Sequence, residues 1–252
     1  MRDPASGWIQ LSSAEFFLLW DAIGAGEPPA ALEVGHLGRT RESRAAMTGE
    51  ASHALAGRDI GTVQDPARDL AGILRTLATG QVTLDLRVLG EGSPLVGYAA
   101  SNGRSAAAAA RVDGEIRLGA VPPSALAGAL LGSLAPLPAG TGRPVNVSAA
   151  DYADACAEGE RDGVPGFVRV LQSAGLRQAD ASVVATALTT RRGGGQLGAS
   201  SGGRRASSIV SWLDTGDGRY ALRRHGAWLT VTPADLPRLT AMADEMVAEV
   251  CG

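Results

Sequence analysis

The chain has 252 residues, of which 45% are hydrophobic and 4% are aromatic, so it can bury a sizeable core that is built mainly from Ala, Val and Leu. Its formal net charge of −3 is too close to balance to favour nucleic acid or an anionic membrane as a general partner. All 23 of its strongly basic residues are arginines, a composition typical of a GC-rich actinobacterial genome.

Cysteine usage and the N-terminal sequence both favour the cytoplasm. Cys156 and Cys251 are far apart and lack metal-ligand spacing, so we expect free thiols in a reducing compartment. The start of the chain, MRDPASGWIQLSSAEFF, lacks the basic and apolar segments of a secretory signal. The apolar run over 16–20 is too short to cross a bilayer. We therefore expect a cytoplasmic protein that does not enter membranes.

The first part of the chain predicts a short strand and then helices. Alternation over 8–12 indicates the strand, and Ser13 is the expected cap of a helix that ends near Ile23. The polar stretch over 38–57 is typical of a solvated helix. Asp65–Pro66 then opens a further helix with apolar side chains on one face.

A period of two then predicts an antiparallel meander. Its four strands span 82–88, 95–101, 105–112 and 116–121. Asn102–Gly103 and Asp113–Gly114 are strong hairpin signals between them. The run Ala106–Ala110 has the highest helix propensity of any residue type, but two hairpin turns enclose it and leave room for barely two helical turns. We therefore predict a strand there.

The second part of the chain repeats this plan. Helices are predicted from Ser148, which forms a capping box with Asp151, and over 165–175 and 180–190. Extended segments follow over 194–201, 207–215, 219–225 and 227–233, and a last helix closes the chain. Each part has a similar sequence between its last strand and its last helix: VPPSAL in the first part and VTPADL in the second. We predict an α+β fold with a quasi-two-fold duplicated architecture, one domain over 1–252, and repeat halves of about 1–140 and 141–252 joined by a Pro/Gly-rich connector over 137–147.

The sequence RRGGGQLGASSGGRR, residues 191–205, contains a glycine pattern associated with phosphate binding. Gly193, Gly195 and Gly198 form a G-x-G-x-x-G motif, which cradles a pyrophosphate only when a strand precedes it and a helix follows. Here the predicted order is reversed, and a P-loop is excluded because its lysine is absent. We expect no nucleotide or other cofactor.

The same stretch offers an alternative as a hydrolase. Gly198, Ser200 and Gly202 form a G-x-S-x-G motif, and His225 follows an aspartate in the chain order of an α/β-hydrolase. The nucleophile elbow of such enzymes is a sharp turn from a strand into a helix, whereas Ser200 leads into another strand. An esterase-like hydrolase that uses Ser200 and His225 stays as an alternative, and we expect no enzyme.

Two further groups of polar residues, the arginines and the histidines, give weaker indications of function. Arginines near 191–205 and 223–224 could form a basic edge, and an Arg-edge nucleic-acid binder is the second alternative. No aromatic residues are interleaved with them. His36, His53 and His225 are scattered without carboxylates or cysteines at ligand spacing, so we expect no metal site.

An ordered set of segments resembles the EspG family of ESX (type VII) secretion-associated proteins. The segments are LSSAEFFLLWDAIGAGEPPAAL, VTLDLRV, GGGQLGA, DTGDGRYAL and WLTVTPADLPRL. The resemblance covers nearly the whole chain in the same order. It implies a quasi-two-fold fold with a central antiparallel sheet flanked by helical bundles. It also implies a cytosolic chaperone that binds the aggregation-prone tip of a PE–PPE heterodimer, or of another helical-hairpin substrate, and keeps it soluble for secretion.

The resemblance further implies where the client binds. The family surface uses the loop between the second and third strands, the central sheet and the C-terminal helical bundle. On this sequence the implied partner-binding residues are Leu89, Gly90, Glu91, Gly92, Ser93, Pro94, Phe167, Val170, Leu171, Leu239, Met242 and Met246. The methionines suit an adaptable apolar surface. We expect a monomer or weak dimer that binds no nucleic acid.

Overall fold

A computed structural model describes Asp3, residues 6–90 and residues 92–252. The chain divides into two compact units. The first comprises residues up to Arg87 together with 93–133 and 199–204; the second comprises 88–92, 134–198 and 205–252.

The described residues form eleven strands and seven α-helices. The strands are β1 (Ile9–Ser12), β2 (Val82–Leu89), β3 (Leu95–Ser101), β4 (Ala106–Val112), β5 (Glu115–Val121), β6 (Val145–Ser148), β7 (Arg191–Ser201), β8 (Arg204–Arg205), β9 (Val210–Thr215), β10 (Gly218–His225) and β11 (Trp228–Pro233). The helices are α1 (Ser13–Ala22), α2 (Arg41–Ala56), α3 (Arg68–Thr79), α4 (Leu126–Leu131), α5 (Ala149–Ser173), α6 (Gln178–Thr189) and α7 (Leu236–Cys251). Helices and strands are mixed along the chain, and the strand pairings from β1 to β5 to β4 to β3 and from β7 to β9 to β10 to β11 to β6 are antiparallel, so the predicted α+β class is confirmed.

The N-cap of helix α1 lies one residue earlier than expected. Ser12, not Ser13, is the N-cap: its hydroxyl accepts a hydrogen bond from the Glu15 N–H at 3.1 Å, and the Glu15 carboxylate accepts one from the Ser12 N–H at 2.8 Å. This reciprocal pair satisfies two donors that the first turn of a helix leaves open. The Arg58 guanidinium also contacts Glu15, so the start of α1 is attached to the segment after α2.

In the first unit the strands follow the order β1-β5-β4-β3-β2. Ala106–Ala110 lie in β4, as predicted, and all five alanines are buried. Ala107 and Ala109 face a core that includes Leu70 and Leu74 of α3. A strand prevails over helix propensity here because β4 is hydrogen-bonded to a neighbour on each side and its short side chains fit beneath packed helices.

Small residues also lie beneath α4. A Cβ added to Gly97 of β3 would be 3.0 Å from Cδ2 of Leu130, so α4 approaches this strand as closely as a glycine allows. In this part of the first unit, small residues on β3 and β4 therefore pack against leucines on α3 and α4.

Enlarging one alanine of β4 should destabilise the first unit. We expect Ala107→Leu to lower the free energy of unfolding by about 1–3 kcal/mol, because the new side chain has no free volume between β4 and α3. Ala120→Leu is the matched control, since Ala120 is exposed and lies directly opposite Ala107 on β5. Urea denaturation of both variants measures the difference, and equal midpoints would contradict tight packing at Ala107.

In the second unit the strands follow the order β7-β9-β10-β11-β6. The sequence prediction missed β6 and assigned Val145 and Val147 to a connector. Both valines are buried in a core with Leu171 of α5 and Val184 of α6. The alternation of β6 spans only four residues and follows Pro144, so its local signal is weak, and the pairing with β11 defines it.

Helix α5 joins two helices that the sequence predicts separately. The helical dihedral angles are interrupted at Asp162 and at Gly163, where φ is 63° and ψ is −158°. Glycine adopts this conformation without the steric cost that other residues meet. Pro165 then falls in the first turn of the following helical segment, where its missing N–H is tolerated.

Two close contacts fix strand β10 in the second unit. Arg219 is fully buried, and its Nε donates to Asp214 Oδ1 at 2.6 Å. Next to it, the buried ring of Tyr220 lies against Gly140: a Cβ added there would be 2.2 Å from the ring carbon Cζ. The Tyr220 hydroxyl donates to the Thr141 carbonyl at 3.1 Å. The segment before β6 is therefore held on β10 by its backbone.

Candidate partner-binding surface

The loop after β2 exposes five of the six loop residues that are predicted to bind a partner. Leu89 ends β2 with 55% of its surface exposed. Gly90, Gly92, Ser93 and Pro94 are also exposed. The sixth predicted member, Glu91, lies outside the described residues.

The base of this loop is closely packed. A Cβ added to Gly193 of β7 would be 2.8 Å from the Leu89 carbonyl oxygen and 3.1 Å from the Gly90 Cα. Only a glycine permits this approach of two backbones. The exposed leucine therefore projects from a backbone that β7 holds from one side.

Most of the predicted helical binding residues are buried. Phe167 and Leu171 of α5 belong to the core of the second unit, and Val170 packs against it half-buried. Leu239, Met242 and Met246 of α7 are at most 7% exposed. Their helical spacing therefore marks a packed face.

The interior beside Phe167 is aromatic and weakly polar. The rings of Tyr152 and Phe167 meet edge to face, with centroids 6.3 Å apart. Burial, and after it the neighbouring Cys156, raises the pKa of Tyr152 to about 12, so its hydroxyl is neutral in the physiological range. On α7, burial likewise raises the pKa of Asp244. For Tyr152 the shift reflects the cost of a charge at a half-buried position.

Exposed apolar side chains that the sequence prediction missed lie elsewhere. Trp228 of β11 is 56% exposed, Val164 is 44%, Ile209 is 40% and Val112 is 39%. Trp228 pairs with His225 across the hairpin of β10 and β11. Alternation along β11 could have identified it, because Trp228 lies on the opposite face from the half-buried Leu229.

The glycine-rich stretch forms a strand. Gly193, Gly195 and Gly198 all lie in β7, which is preceded by α6 and followed by a turn into β8. A Cβ added to Gly194 would be 2.3 Å from the Trp212 carbonyl oxygen, so the glycine at position 194 lets β9 approach. The arrangement lacks the helix N-terminus that binds a pyrophosphate.

The residues of the hydrolase alternative also lie on strands. Ser200 is near the end of β7, and His225 ends β10 with an exposed ring. A nucleophile elbow needs a turn from a strand into a helix, and Ser200 has no such turn. Asp214 is engaged by the buried Arg219.

Two of the remaining polar residues, Ser148 and Arg223, have structural partners. Ser148 caps α5 as predicted, with its hydroxyl accepting from the Asp151 N–H at 3.0 Å. From the basic edge, Arg223 pairs with Glu245 at 3.0 Å.

Among the described residues, no three His, Cys, Asp or Glu side chains are grouped to hold a metal ion. In the same part of the chain, no helix is both long and apolar enough to cross a membrane.

Comparison with known proteins agrees with this architecture. The model of the EspG family matches residues 12–245. No curated protein matches the sequence. Among solved structures, the fold is similar to that of the Mycobacterium tuberculosis type VII secretion system chaperone EspG5 in complex with the PE25–PPE41 dimer, with a TM-score of 0.76 and 16% identity over 97% of this chain and 95% of the other. Because the family model spans nearly the whole sequence, this chain belongs to the EspG family.

Proposed function

We propose that this chain is a cytoplasmic type VII secretion chaperone that binds the apolar tip of a PE–PPE-type or related helical-hairpin substrate and keeps it soluble. The observation that carries the proposal is family membership over residues 12–245. Its support is a fold shared with a chaperone whose structure contains a PE–PPE dimer. An exposed apolar helical tip aggregates unless another protein covers it.

The proposed contact centres on the loop after β2. Its described residues are exposed, and Leu89 offers an apolar side chain of the kind that inserts into a helical partner. In this proposal the buried residues of α5 and α7 act indirectly, since Phe167, Leu171 and Met242 hold in place the helices whose outer faces meet the client. Val170 is half-buried, so in this proposal it both packs against the core and reaches the outer face of α5.

The proposed chaperone activity needs no catalytic residues. Ser200 lies in a strand without a nucleophile elbow, so we propose that the chain is not an enzyme. Ser200→Ala is therefore expected to leave client binding unchanged. An esterase assay on a panel of acyl esters tests the alternative directly, and hydrolysis that disappears in Ser200→Ala would overturn the non-enzymatic proposal.

Co-expression tests the proposed function. The tagged full chain is produced with each PE–PPE pair, or other helical-hairpin substrate, encoded by its own genome. Size-exclusion chromatography then follows affinity capture. We expect a stoichiometric complex with at least one pair and more of that pair in the soluble fraction. Elution of the chain alone, with every candidate substrate present and folded, would overturn the proposal.

Leu89→Asp should weaken this complex selectively. We expect a loss of affinity of about tenfold or more, because a charge replaces an apolar contact at the start of the loop. Val112→Asp is the matched control, since Val112 is an exposed apolar residue at the end of another strand. Isothermal titration with the purified substrate measures both variants. Equal affinities would remove Leu89 from the proposed contact.

A further inference from the structure

A short irregular segment over 206–209 connects β8 to β9. Ser207 in this segment is exposed, as are Arg204 and Arg205 before it. The local sequence Arg-Arg-Ala-Ser places two guanidinium groups two and three residues ahead of a hydroxyl. Kinases that select basic substrates recognise this spacing, because acidic pockets beside their catalytic site bind arginine through charge-assisted hydrogen bonds.

One carboxylate holds this segment against the end of α7. The Ser207 hydroxyl donates to Glu249 Oε1 at 2.5 Å, and the Ser207 N–H donates to the same oxygen at 3.4 Å. The Ser208 hydroxyl donates to Oε2 at 3.2 Å. These hydrogen bonds, with that of the Ser207 hydroxyl first among them, lower the pKa of Glu249. The Glu249 carboxylate therefore accepts three hydrogen bonds from this segment, and the charge of Arg223 lowers its pKa further.

We propose that Ser207 is a phosphorylation site for a serine/threonine protein kinase that selects basic substrates, and that its phosphorylation releases the 206–209 segment from α7. In the reaction, Ser207 Oγ forms a bond to the γ-phosphorus of ATP held by the kinase. The bond from that phosphorus to the bridging oxygen breaks, and ADP leaves. The hydroxyl proton passes to the catalytic base of the kinase.

Phosphorylated Ser207 would place a negative charge next to another negative charge. The phosphoryl group brings a charge of about −1.5 to −2 next to the Glu249 carboxylate, and the Ser207 oxygen can no longer donate. Glu249 lies in the last turn of α7, where the helix dipole already disfavours negative charge. Repulsion therefore replaces the shortest of the three hydrogen bonds, and the segment and the helix end separate.

This switch acts on the helix that holds part of the proposed client surface. Leu239, Met242 and Met246 pack along the buried face of α7. Loosening the last turn of α7 would change the support of that surface, and this part of the inference rests on the proposed function. The modification site itself does not depend on any client.

Phosphorylation of the folded full chain is the first test. The chain is incubated with Mg-ATP and the catalytic subunit of a cyclic-AMP-dependent protein kinase, which selects Arg-Arg-x-Ser. We expect one added phosphoryl group, a gain of about 80 Da, mapped to Ser207 by peptide mass spectrometry. The gain should persist in Ser208→Ala and disappear in Ser207→Ala. Phosphate only at other positions, or on Ser207 only after the chain is unfolded, would overturn the site.

Hydrogen exchange tests the release. Amides over 247–251 should exchange roughly tenfold faster in the phosphorylated chain than in the unmodified chain. In Glu249→Gln the same phosphorylation should produce a smaller increase, because the repelling charge is absent. Unchanged exchange, or an equal increase in both chains, would overturn the repulsion mechanism. If exchange responds but neither form binds any PE–PPE-type substrate, the modification site stands and the proposed function fails.

Discussion

Asp214→Asn is expected to lower the free energy of unfolding by about 3–5 kcal/mol, because it leaves the Arg219 charge buried without its counter-ion. Arg219 is fully buried, and its other contact is a hydrogen bond of 3.2 Å from Nη2 to the Ala135 carbonyl. Its Nη1 has no hydrogen-bond partner among the described residues. Asparagine preserves the shape of the side chain, so the change tests charge alone.

Two variants complete the experiment. Asp217→Asn is the matched control, because Asp217 is exposed in the neighbouring turn and should stay within about 0.5 kcal/mol of the parent chain. Asp214→Leu with Arg219→Met removes both charges together and should recover most of the loss. Urea denaturation measures all three. A single Asp214→Asn variant as stable as the parent would show that Arg219 is solvated in solution.

Gly140→Ala is expected to lower the free energy of unfolding by about 3 kcal/mol or more, since the added methyl group would overlap the ring of Tyr220. The ring cannot move aside, because Tyr220 is fully buried and its hydroxyl is bonded to Thr141. Thermal unfolding followed by circular dichroism measures the loss as a lower midpoint.

The control for this overlap is another glycine. Gly35→Ala should have little effect, because no atom lies within 4 Å of the added Cβ. Combining Gly140→Ala with Tyr220→Leu should give a loss smaller than the sum of the two single losses, because the smaller side chain leaves room for the methyl group. Strictly additive losses would show that Gly140 is required for another reason.

The antiparallel strands were predictable because their signals are local. Two-residue periodicity and the turns at Asn102–Gly103 and Asp113–Gly114 define β3, β4 and β5 without reference to the rest of the chain. Strand β6 was not predictable in this way. Its four residues become a strand only because β11, far along the sequence, pairs with them, and no local pattern encodes that pairing.

In the candidate site, too, the features with local sequence signals were predictable and those that depend on distant contacts were not. The exposed loop after β2 follows from hairpin spacing, so sequence reasoning could place Leu89 and Pro94 at the surface. For Met242 and Met246, helical spacing predicts an apolar face but does not tell a core face from a binding face. The contact between Ser207 and Glu249 joins residues 42 positions apart, and no spacing rule predicts it.

The interleaving of the two units has a consequence for synthesis on the ribosome. The first unit includes the segment 199–204, where the Gly202 N–H donates to the Gln81 carbonyl. A nascent chain therefore cannot complete its first unit until most of the second has also left the exit tunnel. Contacts this distant form slowly, and partly assembled strands stay exposed meanwhile. A protein proposed to protect others from aggregation is therefore itself prone to aggregate until most of its chain has been synthesised.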